Sequence, residues 1–155
     1  MTGKIDQRLA ALGITLPKLD APAFSYVPFV VTGNLVFLSG VVPIENGVRK
    51  YIGKLGREIS LEEGQKAAAL AALSLLSRLR DACGGDLDRV VRCVKLLGFV
   101  NGVPEFAEHP KVINGASDLI VSVFGDAGRH ARSAVGMGSL PFGSAVEIEA
   151  VFEIR

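Results

Sequence analysis

Val90-Val91-Arg92-Cys93-Val94-Lys95-Leu96-Leu97-Gly98-Phe99-Val100 is the stretch that decides the architecture. Its β-branched content and its bounding turn signals predict a strand. Simple alternation places Val91, Cys93, Leu97 and Phe99 on one face and Val94, Leu96 and Val100 on the other. Both faces are apolar, and a strand of that kind is covered from both sides.

Upstream, Ser60-Leu61-Glu62-Glu63 is a capping box, with serine three residues before glutamate. It opens a long helix whose stripe runs through Ala68, Ala72, Leu75, Leu76 and Leu79, and Gly84-Gly85 ends it. Asp86 to Asp88 is a turn. Downstream, His109 to Phe124 is a second helix in which Pro110 suits a first position. Gly125 to Gly128 is a turn, and two further strands follow, expected to pair as a hairpin across Pro141 to Ala145. Towards the N-terminus, Tyr26 to Thr32 and Leu35 to Ser39 flank Gly33-Asn34, a hairpin signal. Lys4 to Leu12 reads as a short helix with Ile5, Leu9 and Leu12 on one stripe. Leu16 to Phe24 is an extended lead-in with Pro17 and Pro22.

With a weaker strand or loop from Val41 to Ile59, broken by Pro43, Asn46-Gly47 and Gly53, the element order is β-β-(β)-α-β-α-β-β, an α+β arrangement with a mixed sheet. Right-handed crossovers put both long helices on one face of it. Nothing in the chain remains to cover the other, so self-association through that face is expected. The chain of 155 residues reads as one domain, 1–155, with 1–25 forming the N-terminal helix and lead-in.

The formal net charge of +1 gives no electrostatic case for nucleic acid or an anionic membrane. Cys83 and Cys93 are not at metal or redox spacing and suit a reducing cytoplasmic setting. The N-terminus lacks the apolar run of a signal peptide, and no stretch reaches the length of a membrane span.

Arg132 opens Arg132-Ser133-Ala134-Val135-Gly136-Met137-Gly138-Ser139-Leu140-Pro141. A cation beside small apolar residues is costly to bury unless an anion meets it, and guanidinium matches a carboxylate with a two-bond fork. Arg132 is either such a clamp or, like Arg129, a solvated arginine at a strand end. Glu147 and Glu149 share a face of the last strand. They are either a pair for acid–base work or, with Glu153, a solvated row. In the expected hairpin Arg132 and Glu147 sit about 20 Å apart, so they share a pocket only across a subunit boundary. His109 and His130 have no ligands at metal spacing, and no metal site is assigned. Gly136-Met137-Gly138 is not a dinucleotide fingerprint.

Three segments together carry a resemblance. They are Gly33-Asn34-Leu35-Val36-Phe37-Leu38-Ser39-Gly40, then Gly85-Asp86-Leu87-Asp88-Arg89-Val90-Val91, then Arg132-Ser133-Ala134-Val135 through Leu140-Pro141 to Val146-Glu147-Ile148-Glu149-Ala150. In this order they resemble the reactive intermediate deaminases, also called the YjgF-like or endoribonuclease L-PSP family. The match is closest to a longer subgroup with an added N-terminal helix. The resemblance implies a chorismate-mutase-like fold of the bacterial trimeric type and a homotrimer with clefts between subunits. It implies hydrolysis of 2-imino or 2-enamino acids (the 2-aminoacrylate type) to 2-oxo acids and ammonia, without metal or organic cofactor.

By the same resemblance, Arg132 holds the substrate carboxylate, Glu147 is associated with the reacting water, and Tyr26 lines the cleft from a neighbouring chain. This chain departs from the pattern at Phe24-Ser25-Tyr26-Val27-Pro28, in a longer Asn101 to Ala116 segment, and at Ala134, where many members carry cysteine. The family's asparagine at the start of the second helix is expected to be replaced by Ser117. Two other function classes stay open: a non-catalytic binder of small carboxylates such as 2-oxo acids, and an endoribonuclease.

Overall fold

The computed structural model describes residues 3–155; Met1 and Thr2, which the sequence reading included in the N-terminal segment, lie outside them. The elements in chain order are α1 (Lys4–Ala11), β1 (Phe29–Thr32), β2 (Leu35–Val41), β3 (Ile44–Glu45), β4 (Val48–Arg49), α2 (Leu61–Ala82), β5 (Val90–Asn101), α3 (His109–Phe124), β6 (Ala131–Met137) and β7 (Val146–Ile154).

Five strands form one sheet in the order β1-β2-β7-β5-β6. β5 and β6 run parallel, joined through α3, while β7 is antiparallel to both β2 and β5. This corrects the expected hairpin of the last two strands: β5 lies between β6 and β7. The eight residues from Gly138 to Ala145 do not fold into a tight turn. They cross the end of the sheet, where Phe142 takes φ +60° under the guanidinium of Arg49, 3.5 Å from the ring centre.

The local signals act as their chemistry requires. The Ser60 side chain accepts from Glu63 N at 3.1 Å while the Glu63 carboxylate takes Ser60 N at 2.8 Å, so α2 starts there. At Gly33 the chain turns with φ +57°, pairing Thr32 with Leu35. β1 begins at Phe29 rather than Tyr26. Pro28 has no N–H to give a ladder, and only its carbonyl is used, by Ser39 N at 3.0 Å.

α2 packs on β2 and β7, and α3 on β5 and β6, so both long helices cover the same face. The buried apolar side chains form one cluster, including Leu75, Leu76, Leu79, Leu96, Ile113, Ile148 and Phe152. The face assignment within β5 needs a correction. Its pairing with β7 slips after Val90 and again after Cys93, each slip leaving one extra residue on β5. Val91 and Val94 are those bulged residues and are exposed. Cys93 therefore joins Leu96, Gly98 and Val100 beneath the helices, while Lys95, Leu97 and Phe99 point to the helix-free side. That open side also carries Val30, Phe37 and Val135, each more than two-fifths exposed.

α1 is held from a distance. Its N-cap Gly3 has no side chain to offer, and the Asp88 carboxylate takes both Lys4 N and Ile5 N at 2.8 Å. Asp6 pairs with Arg80, and Arg8 Nε donates to Ser122 O at 2.8 Å. The two helix amides hold the Asp88 carboxyl below its usual range, with Lys4 and Arg155 adding to the effect. A depressed folded-state pKa means the anchor contributes fully above the unfolded value and is lost as pH falls through the folded one. In Asp88→Ala, amide hydrogen exchange across α1 is expected to accelerate at neutral pH while the α2 amides keep their protection. Unchanged α1 exchange would show that the ion pair alone holds the helix.

Candidate functional site

Arg132 leaves β6 on the helix-covered face and lies along α3. Nη1 donates to Asn114 Oδ1 at 2.8 Å and to Ser117 Oγ at 3.1 Å, and Nη2 donates to Pro110 O at 3.3 Å. The spacing of Pro110, Asn114 and Ser117 places them on one helical stripe facing the strand. A guanidinium has five N–H groups. The two left over, Nε–H and the second Nη2 hydrogen, have no partner among the described residues. The arrangement is a cation oriented on one side by neutral acceptors, with donors in hand for a carboxylate.

Asn114 was not singled out from the sequence. It touches the guanidinium together with Ser117, near the start of α3. The signal that finds it is the three-residue spacing to Ser117, which puts both on one face of the helix.

Ala134, two residues on, pairs with Gly98 of β5 and packs against the core. Gly136 continues that face beneath His109. A β-carbon at Gly136 would come within 2.5 Å of His109 Nε2, so any larger residue there would push the imidazole aside. His109 also meets the Phe106 ring edge-on, with ring centres 5.3 Å apart.

Glu147 sits elsewhere. Along β7, Val146, Ile148, Ala150, Phe152 and Ile154 are buried under the helices, so Glu147, Glu149 and Glu153 line the open face. Glu147 pairs with Phe99 and Arg132 with Leu96, on opposite sides of β5. Three residues along the strand and two strand spacings across give about 14 Å between their Cα positions. Their side chains leave opposite faces of the sheet. The sequence conclusion that one chain does not bring the two together stands, with a different cause: the barrier is the sheet itself, not a hairpin's length.

The Glu147 carboxylate lies over Gly40, whose Cα leaves the space; Glu147 Cδ would stand 3.1 Å from a β-carbon there. Burial pushes the Glu147 carboxyl above its ordinary value, and the charge of Glu149 adds to it. A proton-accepting group near a cleft is commonly tuned in that direction. Beside it, Val30, Phe37, Ser39, Lys95, Leu97, Glu149 and Val151 line an open hollow of about 240 Å³ on the helix-free face.

Tyr26 is half exposed in the segment before β1, flanked by the exposed Phe24 and Val27. Ser39 Oγ holds this segment by donating to Val27 O at 2.6 Å. Within one chain Tyr26 joins neither the arginine nor the glutamate; its apolar flank is free to lie on a neighbouring molecule.

The sequence profile of the family described as "YjgF/chorismate mutase-like, putative endoribonuclease" matches residues 6–153. Protein TCP17 of Trypanosoma cruzi is 48% identical over 155 residues, covering 99% of this chain and 96% of that protein. A protein of unknown function from Agrobacterium tumefaciens has a crystal structure that superposes with a TM-score of 0.90. It is 49% identical and covers 97% of this chain and 92% of its own. The crystal structure of a "putative endoribonuclease" from Shewanella oneidensis MR-1 gives a TM-score of 0.93 at 35% identity, covering 97% and 99%.

Proposed function

Because the chain belongs to the YjgF/chorismate mutase-like family, we propose that it hydrolyses reactive 2-imino and 2-enamino acids to 2-oxo acids and ammonia, in clefts shared between subunits. The observation that carries this reading is the Arg132 guanidinium, fixed on three acceptors of α3 with two N–H groups left for a carboxylate.

A small acid docks on that pair of donors. Its enamine form takes a proton at carbon and loses one from nitrogen to become the imine, whose carbon is electrophilic. Glu147 of a neighbouring copy accepts a proton from water as the oxygen adds to that carbon. That proton passes to nitrogen; the hydroxyl proton follows it as the C=O double bond forms and the C–N bond breaks, and ammonia leaves with the 2-oxo acid behind. The imine is already reactive, so placing water and acid together is most of the task. The test is an amino acid oxidase assay that generates the imine in situ. Faster loss of imine with the protein present supports the reading. Binding of 2-oxo acids with an unchanged rate of imine decay would leave only the carboxylate binder.

Two further outcomes follow. The bare sheet face, with Val30, Phe37 and Val135 exposed, favours a homotrimer. Light scattering at micromolar concentration is expected to give three times the 16.3 kDa chain mass; a monomer would remove the shared cleft. Glu147→Gln is expected to slow turnover more than it weakens 2-oxo acid binding. A raised folded-state pKa stabilises the protonated form, and that contribution is lost as pH rises through it. At any pH where it is ionised, Glu147 is thus a cost to folding, and there Glu147→Gln should melt no lower than the parent. The activity of the parent should fall away on the acid side at a higher pH than an unperturbed glutamate would give. A Glu147→Gln variant with full turnover would remove the glutamate from the reaction.

The description of the family and of the Shewanella relative as endoribonucleases favours a second reading, RNA cleavage. The net charge of +1 gives no basic track for phosphate. Salt-sensitive RNA cleavage that survives re-purification and disappears in Arg132→Ala would put this reading first.

A further inference from the structure

His130 precedes Arg132 by two residues, in the short link that leads into β6. Its Nδ1 lies 2.6 Å from Gly128 O, and its Nε2 lies 2.9 Å from Ser117 Oγ. That same hydroxyl oxygen accepts from Arg132 Nη1. The rules of donors and acceptors give the chain a direction. A carbonyl oxygen only accepts, so Nδ1 carries a proton. Arg132 only donates, so the Ser117 oxygen is the acceptor there. In the neutral ring Nε2 is a bare lone pair, and it receives the Ser117 hydroxyl proton. The hydroxyl then turns its own lone pairs towards the guanidinium. A cationic ring would instead aim a second N–H at the same oxygen, beside the charge of Arg132.

The far end of the chain is anchored. Gly128 packs against α3 so closely that a β-carbon would stand 2.6 Å from Ile120 O and 2.9 Å from Val121 Cα. Its carbonyl is thereby fixed relative to the helix that also supplies Ser117, Asn114 and Pro110. The imidazole bridges two points of that one rigid frame.

We propose that His130 is a positioning residue: as the neutral Nδ1–H tautomer it orients the Ser117 hydroxyl, and through it the direction in which Arg132 presents its two free N–H groups to a carboxylate ligand. This rests on the reading of Arg132 as a carboxylate clamp and adds the device that aims it. His130 itself touches no reacting atom. The sequence shows the pattern as histidine, any residue, arginine at a strand start, with serine on the preceding helix.

The experiment pairs a ligand readout with one that needs no ligand. Nitrogen NMR of the full chain is expected to show His130 with a protonated Nδ1 and an unprotonated Nε2. Calorimetry with pyruvate as the 2-oxo acid probe is expected to show about three- to tenfold weaker binding in His130→Leu. His130→Gln, whose amide oxygen can receive the hydroxyl proton, should retain most of the affinity. Ser117→Ala should weaken binding to the same degree, with Ser117→Thr restoring it. In the Ser117→Ala background, His130→Leu should cause no further loss.

Additive losses, or a protonated Nε2, would overturn the proposal and reduce His130 to a packing residue. Should His130→Leu fail to fold, the Ser117→Ala and Ser117→Thr pair cuts and restores the same link from its other end. If Arg132→Ala binds pyruvate as well as the parent, the clamp reading fails instead. The positioning role is then judged without ligand, by the Nε2 protonation state and by whether the Arg132 side-chain N–H signals sharpened in the parent broaden in Ser117→Ala.

Discussion

Arg132→Ala is expected to abolish imine hydrolysis and to weaken 2-oxo acid binding on the order of 100-fold, with the fold and assembly intact. Two charge-assisted hydrogen bonds to a carboxylate in a partly desolvated cleft are together worth roughly 3 kcal/mol, and that converts to the stated factor. The fold should survive because the partners left behind, Asn114 Oδ1, Ser117 Oγ and Pro110 O, lie at the rim of α3 where water can replace the guanidinium. Arg132→Lys separates charge from geometry. A lysine keeps the cation but cannot serve three acceptors on the helix and a two-pronged carboxylate together, so it should lose most of the activity. Wild-type hydrolysis in Arg132→Ala, measured beside an unchanged sedimentation profile, would leave only a shared fold without shared chemistry.

Gly115→Ala is expected to lower the melting temperature by roughly 5–12 °C, a loss of about 2–4 kcal/mol. Helix propensity alone argues the other way, since alanine inside a helix gains about 1 kcal/mol over glycine. The crossing of α3 on α2 decides the sign. A β-carbon at Gly115 would fall on the carbonyl oxygen of Gln65, with Gln65 C at 2.8 Å and Cα at 3.0 Å. These are backbone atoms, so no side chain can swing aside. Gln65 is also pinned from its other end, its amide donating to Lys111 O at 3.0 Å. The helices must therefore separate, and the loosened contact carries Asn114 and Ser117 with it. A Gly115→Ala variant that melted higher than the parent would mean that the two helices do not pack at this distance in solution.

The legible parts of this chain were the ones written in neighbouring residues. Ser60 and Glu63 form a reciprocal cap whose chemistry is complete within four positions, and the structure has it. Gly33 marks a turn because few other residues accept its backbone angle. The errors lie where the outcome depends on distant partners. β6 and β7 are neighbours in sequence, yet β7 pairs with β2 and β5, and no local signal states that choice. The faces of β5 followed from assuming uninterrupted alternation, and the bulges at Val91 and Val94 broke it; valine suits a regular strand position, so composition gave no warning. At the candidate site, Arg132 and Glu147 were legible as chemistry. Asn114 was not, because its meaning comes from a guanidinium eighteen positions later in the chain.

The placement of Arg132 and Glu147 on opposite sides of β5 has a genetic reading. If each working cleft borrows its cation from one copy and its carboxylate from the next, a subunit lacking the arginine and a subunit lacking the glutamate are not equivalent losses. Either allele alone would be inactive. Expressed together and assembled at random, they would rebuild about one cleft in four with both groups whole, because each chain keeps the half that its neighbour has lost. Two dead genes would then yield a living phenotype, as alleles of a self-contained monomer never do.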